Sequence, residues 1–182
     1  MPPSSTLDTV TAAAQTKYQV RFAFGVQAGR TIAQGAHVVV WADALPSPGV
    51  DPAALGATGA VVTGSVGNRA AVAQWILDRQ AAQGDRVIVA VVAAGAADGG
   101  FAVEDFLAAG AVIDALGDVG IDFTSPEAAA AAGAFAFLKN AASHILSASI
   151  AGQEAGAEEV AAAKVAQAGE EFEVLQEFSA PA

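Results

Sequence analysis

Glu104 and Asp105 stand side by side at the mouth of an otherwise apolar stretch, FAVEDFLAAGAVIDAL (101–116), whose spacing predicts a helix. Neighbouring carboxylates in a first helical turn can simply complement the positive end of the macrodipole, an effect of about 0.3–1 kcal/mol. If folding brings other oxygen donors to them, they can instead hold a hard cation, orient a water or exchange a proton. Two such donors follow apolar runs that read as strands: Asp43 after HVVVWA, and Ser65 to Asn68 in the turn GSVGN after AVVTG. A strand-end carboxylate, a helix-start amide and an acidic pair form an oxygen-rich set suited to Mg²⁺, which takes one or two carboxylates and keeps several waters. Asp43, Glu104 and Asp105 are therefore the candidate metal ligands and the candidate catalytic groups. Zinc is a poor match, because His37 and His144 are far apart and there is no cysteine. Each member also has an ordinary explanation: Asp43 as a cap on the turn at Pro46, Asn68 as a helix N-cap.

The glycine-rich turn offers a seat for an anion. Gly64, Ser65, Gly67 and Asn68 lie where a strand passes into a helix, and the backbone N–H groups of such a turn can hold a phosphate or sulfonate. The turn lacks the Gly-Lys-Ser/Thr of a P-loop, and Thr63 two places before Ser65 rules out a GxSxG elbow. Arg69 and Arg21 are the cations expected near the site, with Arg30 a third; Arg79 and Arg86 read as solvated ends of elements.

These residues need a scaffold. YQVRFAF (18–24) alternates and reads as a strand with one wetter face; HVVVWAD (37–43) reads as a buried strand, AVVTG (60–64) as a third. RVIVAVVA (86–93) is apolar on consecutive positions, which suits a strand covered on both faces. Helices are expected over 69–82, with Trp75 in the core, over 101–116 with Gly117 as its stop, and from Ser125-Pro126 through an alanine-rich stretch towards Asn140 or beyond. A short turn after Pro52, a helix over 158–167, a last strand near 172–178 and a solvated face at Glu170, Glu171 and Glu173 complete the reading. The fold class is α/β: a layered sandwich with a mostly parallel central sheet flanked by helices, its site at the carboxyl ends of the strands.

With 182 residues, 54% of them hydrophobic, the chain can bury one sizeable core. The expected division is a flexible segment over 1–16 and one α/β domain over 17–182. The net charge of −11 repels a polyanion, so nucleic acid is not expected as a partner, and a small anionic phosphorylated substrate would need a divalent cation or a helix N-terminus. No apolar run reaches the roughly 18 residues of a membrane span, and MPPSSTLDTV lacks the regions of a signal peptide. No membrane partner and a cytoplasmic location are expected.

YQVRFAFG, HVVVWADAL, VVTGSVGNRAAVAQWI and VIVAVVAAGAADGGFAVEDFLAAGAVIDAL resemble, in this order, the blocks of the 2-phosphosulpholactate phosphatase family. The resemblance covers residues 18 to about 116, and EDFLAAGA with the preceding VVAAG is its most specific part. It implies an α/β, Mg²⁺-dependent acid phosphatase that releases phosphate from 2-phospho-3-sulpholactate. By motif, Asp43 matches the aspartate of the family's DVL block, Asn68 the asparagine that opens the helix after its GS turn, and Glu104 and Asp105 its ED pair. Two departures stand out. The chain reads DALPSPG where the family continues DVLRA and Thr or Ser, and Ala96 where the family carries glutamate.

The expectation is thus an Mg²⁺-dependent phosphoric monoester hydrolase acting on a small phosphorylated hydroxy acid. The alternative is a catalytically degenerate member that serves as a binding or assembly module. A homo-oligomer paired through exposed Phe and Trp is a third option.

Overall fold

The computed structural model describes residues 12–177. Four parallel strands, β1 (Val20–Phe24), β2 (Val38–Ala42), β3 (Ala60–Gly64) and β4 (Val89–Ala93), and one antiparallel strand, β5 (Val174–Gln176), form a sheet of order β1-β4-β2-β3-β5. The period-2 alternation of side chains divides this sheet between two cores. Val38, Val40, Ala42, Val62, Val89 and Val91 face one side, where helices α2 (Arg69–Gln83), α3 (Val103–Asp118) and α4 (Pro126–Leu138) pack. Val39, Trp41, Val61, Ala90 and Val92 face the other, against α1 (Gly25–Ala33) and a 3₁₀ turn over Pro52–Leu55. The architecture is an α/β layered fold with a mostly parallel sheet, as the strand pattern predicts.

The β4 strand is interior and fully buried, in keeping with its unbroken apolar run. The β1 strand departs from expectation. It has no wet face, because Arg21 is buried and its Nη1 donates to the carbonyls of Ile32 (3.2 Å) and Gln34 (3.1 Å) at the end of α1. Its outer edge is covered by the chain itself: Val20 bridges Thr124, while Gln15 donates to the Phe22 carbonyl (2.7 Å) and accepts from its N–H (2.9 Å). Residues 12–16 therefore belong to the folded part and not to a loose end; residues 1–11 lie outside the described part.

The α3 helix runs through Gly117, which does not stop it. The stop is Gly120, with φ of 84°: its N–H donates to the Gly117 carbonyl (3.0 Å) and that of Ile121 to Leu116 (2.9 Å), a Schellman closure. Ser125 caps α4 as expected, its Oγ accepting from Ala128 N–H at 3.1 Å. After a 3₁₀ turn (Lys139–Ala141) come α5 (Ala142–Ala148), α6 (Ile150–Ala155) and α7 (Ala157–Ala168). The first continues, past the 3₁₀ turn, the helical run expected beyond Asn140; the second is a helix where the sequence pattern predicts none. The last strand is shorter than expected, and Phe178 falls outside the described residues. Trp75 is half-buried at the core margin, edge-on to Phe172 and under the Arg79 guanidinium. No helix among the described residues is long and apolar enough to cross a membrane.

Candidate functional site

Because β2, β3 and β4 run parallel and adjoin, their carboxyl ends bring the three singled-out segments to one edge of the sheet. Asp43 follows the last residue of β2, and Glu104 and Asp105 lie in the first turn of α3. Asp105, 2% exposed, accepts at Oδ1 from the Ala44 N–H (2.7 Å) and at Oδ2 from the Gly95 N–H (2.8 Å). It thereby ties the loop after β2 to the loop after β4. Burial is the main cause that raises its pKa, to about 7, and the charges of Asp43 and Glu104 add to it against the pull of the two amides. Both of its oxygens are engaged, so its place is that of a brace between loops.

Asp43 is half-buried. Burial pushes its pKa up to about 6, a hydrogen bond from Trp41 opposes this, and the Glu104 charge adds to it. It does not cap the turn at Pro46; the amide of Ala44 goes to Asp105 instead. Glu104 differs from both. It is 5% exposed, and its Oε2 is buried without a hydrogen-bond partner among the described residues. An unsatisfied buried acceptor costs about 1–3 kcal/mol, more for a charged group. Native folds keep few such groups, and those kept are often functional.

The glycine turn is not an open anion seat. The Ser65 N–H donates to Asn68 Oδ1 (2.8 Å) and the Asn68 N–H to Ser65 Oγ (3.1 Å), so the two side chains close the turn reciprocally. Ser65, not Asn68, plays the capping part. Asn68 Nδ2 donates in turn to the Glu171 carbonyl (3.2 Å). The remaining amides are taken by the end of α7: the Gly67 N–H donates to the Gln167 carbonyl (2.8 Å) and that of Val66 reaches Gln167 Oε1 at 3.4 Å. Gly67 permits this approach, since a Cβ there would lie 2.5 Å from the Gly169 carbonyl oxygen. The expectation that Ser65, Gly67 and Asn68 present free amides to a phosphate is corrected on this ground, while Gly64 is the buried last residue of β3.

Two expected cations are likewise placed elsewhere. Arg21 sits at the opposite end of the sheet, capping α1, with its pKa lowered by burial. Arg69 Nη1 donates to the Val66 carbonyl, and its guanidinium lies over the Phe135 ring, 5.7 Å from the centroid. Arg30 bonds the Ala54 carbonyl and Arg79 pairs with Glu177 at 2.8 Å. His37 is structural, its Nδ1 accepting from the Ile88 N–H at 2.8 Å.

Glu104 opens instead into a cavity of about 240 Å³ walled by Leu107, Lys139, Ser143, Lys164 and Gln167 among others. Asp43, Ser65 and Asn68 line a neighbouring hollow beside Thr63 and Glu171. Lys139, Ser143, Lys164 and Gln167 were not among the sequence candidates. Their signal was weak: two of the chain's three lysines in an alanine-rich stretch otherwise poor in positive charge.

A family model for 2-phosphosulpholactate phosphatase matches residues 53–167, more than half of the chain. The chain belongs to the 2-phosphosulpholactate phosphatase family. The match holds the glycine turn, Glu104, Asp105 and both cavity lysines, and it extends through α7, beyond the blocks that carry the resemblance in the sequence. Asp43, β1 and β2 precede it. No curated protein and no solved structure matches the chain.

For a member of this phosphatase family the donor set can be tested against a hard cation. Asp43 and Glu104 both offer carboxylate oxygens, the Glu104 charge acts on Asp43, and Glu104 Oε2 has no partner among the described residues. Asp105 carries one backbone amide on each oxygen and keeps a lone pair on each, but at 2% exposure it lies deeper than Asp43 and Glu104. Among the described residues no three His, Asp or Glu side chains gather closely enough to surround one ion. The set suits a water-rich ion with two protein carboxylates, within the range Mg²⁺ accepts.

Proposed function

We propose that this family member is an Mg²⁺-dependent phosphoric monoester hydrolase whose substrate is a small phosphorylated hydroxy acid. The observation that carries the reading is Glu104 at the carboxyl edge of the sheet: the residue lines a cavity there, and its Oε2 is buried without a hydrogen-bond partner among the described residues. Asp43 and Glu104 would hold the cation, which when bound would neutralise phosphate oxygens and lower the pKa of a coordinated water. Glu104 Oε2 has acceptor capacity to spare, so it orients the attacking water by taking a hydrogen bond from it. Asp105 contributes at one remove, by fixing the loops that carry Asp43 and Gly95. The apolar neighbours Leu107 and Leu146 limit water around the reacting group.

Purified protein is expected to release phosphate from a panel of small phosphorylated hydroxy acids with Mg²⁺, and Asp43→Asn to lose that activity. Absence of turnover across the panel with either Mg²⁺ or Mn²⁺ overturns the reading.

A second reading, a degenerate member kept as a binding module, is favoured by one observation: the chain's own Gln167 occupies the amides of the glycine turn. The DALPSPG segment and Ala96 point the same way. Such a protein would gain thermal stability from its ligand by mass action yet turn nothing over.

A further inference from the structure

We propose that Lys139 and Lys164 form the seat for the oxyanion of a small acid, phosphoryl or sulfonate, in the cavity that Glu104 faces. The inference rests in part on the phosphatase reading, but it concerns binding and stands whether or not the site turns over. Three observations carry it. First, the turn that would ordinarily seat an anion is closed, its Ser65, Val66, Gly67 and Asn68 amides all engaged within the chain. Second, most of the scarce positive charge is committed elsewhere. Arg21, Arg30 and Arg69 bond backbone carbonyls, Arg79 pairs with Glu177, and Lys17 lies over Tyr18. Lys139 and Lys164 are in no ion pair among the described residues, although the chain carries a net charge of −11.

Third, both lysines line one open cavity together with Glu104. Lys139 comes from the turn after α4 and Lys164 from α7, so side chains from two separate elements wall the same cavity. Glu104 supplies the opposite chemistry in the same wall; it is 5% exposed, and its Oε2 is buried and unpartnered among the described residues. A ligand satisfying both carries an oxyanion for the lysines and a hydroxyl, or an accompanying cation, for the glutamate. Ser143 and Gln167 add neutral hydrogen-bonding groups, and Leu107 an apolar side. The volume of about 240 Å³ corresponds to roughly eight waters at ~30 Å³ each, the scale of an acid of a few carbons. The helical layer after α4 is on this account the element that recognises the substrate.

The test uses the full chain with inorganic phosphate and, separately, inorganic sulfate, titrated calorimetrically at low ionic strength without divalent cation. Wild type is expected to bind both. The double variant Lys139→Met/Lys164→Met should lose roughly tenfold or more in affinity, and Lys17→Met none. Lys139→Arg/Lys164→Arg should retain binding, which separates charge from packing, and unliganded melting temperatures establish that each variant folds. Glu104→Gln should bind phosphate more tightly than wild type here, because a facing negative charge is gone. Failure of wild type to bind either ion, or equal affinity in the methionine double variant, overturns the proposal. Anion binding in a protein that hydrolyses nothing sinks the phosphatase reading alone. Turnover with a KM untouched by the methionine substitutions sinks the lysine seat alone.

Discussion

Two amides from different loops converge on Asp105, and replacing that carboxylate leaves donors with nowhere to go. Asp105→Ala should cost about 2–6 kcal/mol, the sum of two buried N–H groups at ~1–3 kcal/mol each. Asp105→Asn should cost less, since it keeps one acceptor and removes a charge that faces Asp43 and Glu104. Chemical denaturation of the two variants checks the order, and equal losses would contradict the brace. The same residue gives stability a pH dependence. Its folded pKa of about 7 lies above the ordinary 3.8, so the folded chain holds this proton more tightly than the unfolded one. The resulting stability is complete below about pH 4 and is lost as pH rises through 7; Asp43, raised to about 6, acts in the same direction. Without divalent cation, the melting temperature should fall between pH 5 and 8, with a flatter slope in Asp105→Asn. A melting temperature that rises over that window in wild type would count against the assignment.

The seating of α7 on the glycine turn is a property of two elements and is tested as such. Gly67→Ala places a Cβ 2.5 Å from the Gly169 carbonyl oxygen and 2.6 Å from the Ala168 carbonyl carbon, both backbone atoms that move only with the helix end. The expected cost is about 1–3 kcal/mol. Hydrogen exchange should quicken over residues 165–176 while β2 and β4 stay protected; unchanged exchange there would show that α7 is not held by the turn. Elements with strong periods were legible in the sequence. The β-branched run of β2, the unbroken apolar run of β4, and the Ser125-Pro126 start of α4 each carry a local physical signal. The α1 helix was missed although its apolar residues share one face, because it has only nine residues and two of them are glycines. So was α6, which is short, so that packing against other elements, not a stripe of its own, defines it. The carboxylates of the site stood out because strand ends and a helix mouth are places a sequence marks. Lys139, Lys164 and Gln167 did not, since nothing local says that their segment folds back over Glu104. The glycine turn misled for the same reason: its own residues do not tell that Gln167 reaches its amides.

At the scale of the molecule, a chain with eight Lys and Arg against nineteen Asp and Glu sets two of its three lysines in the wall of one small cavity, beside a glutamate whose Oε2 has no partner among the described residues. Such an arrangement is costly to stability and makes sense as a site that a ligand completes. The most direct measurement is phosphate release from small phosphorylated hydroxy acids by wild type and Glu104→Gln, side by side, with Mg²⁺ and with chelator, after their melting temperatures have been compared. The account predicts turnover in wild type that chelation abolishes, and a loss of roughly 10²-fold or more in Glu104→Gln, which melts no lower than wild type. Equal rates in the two proteins would contradict it.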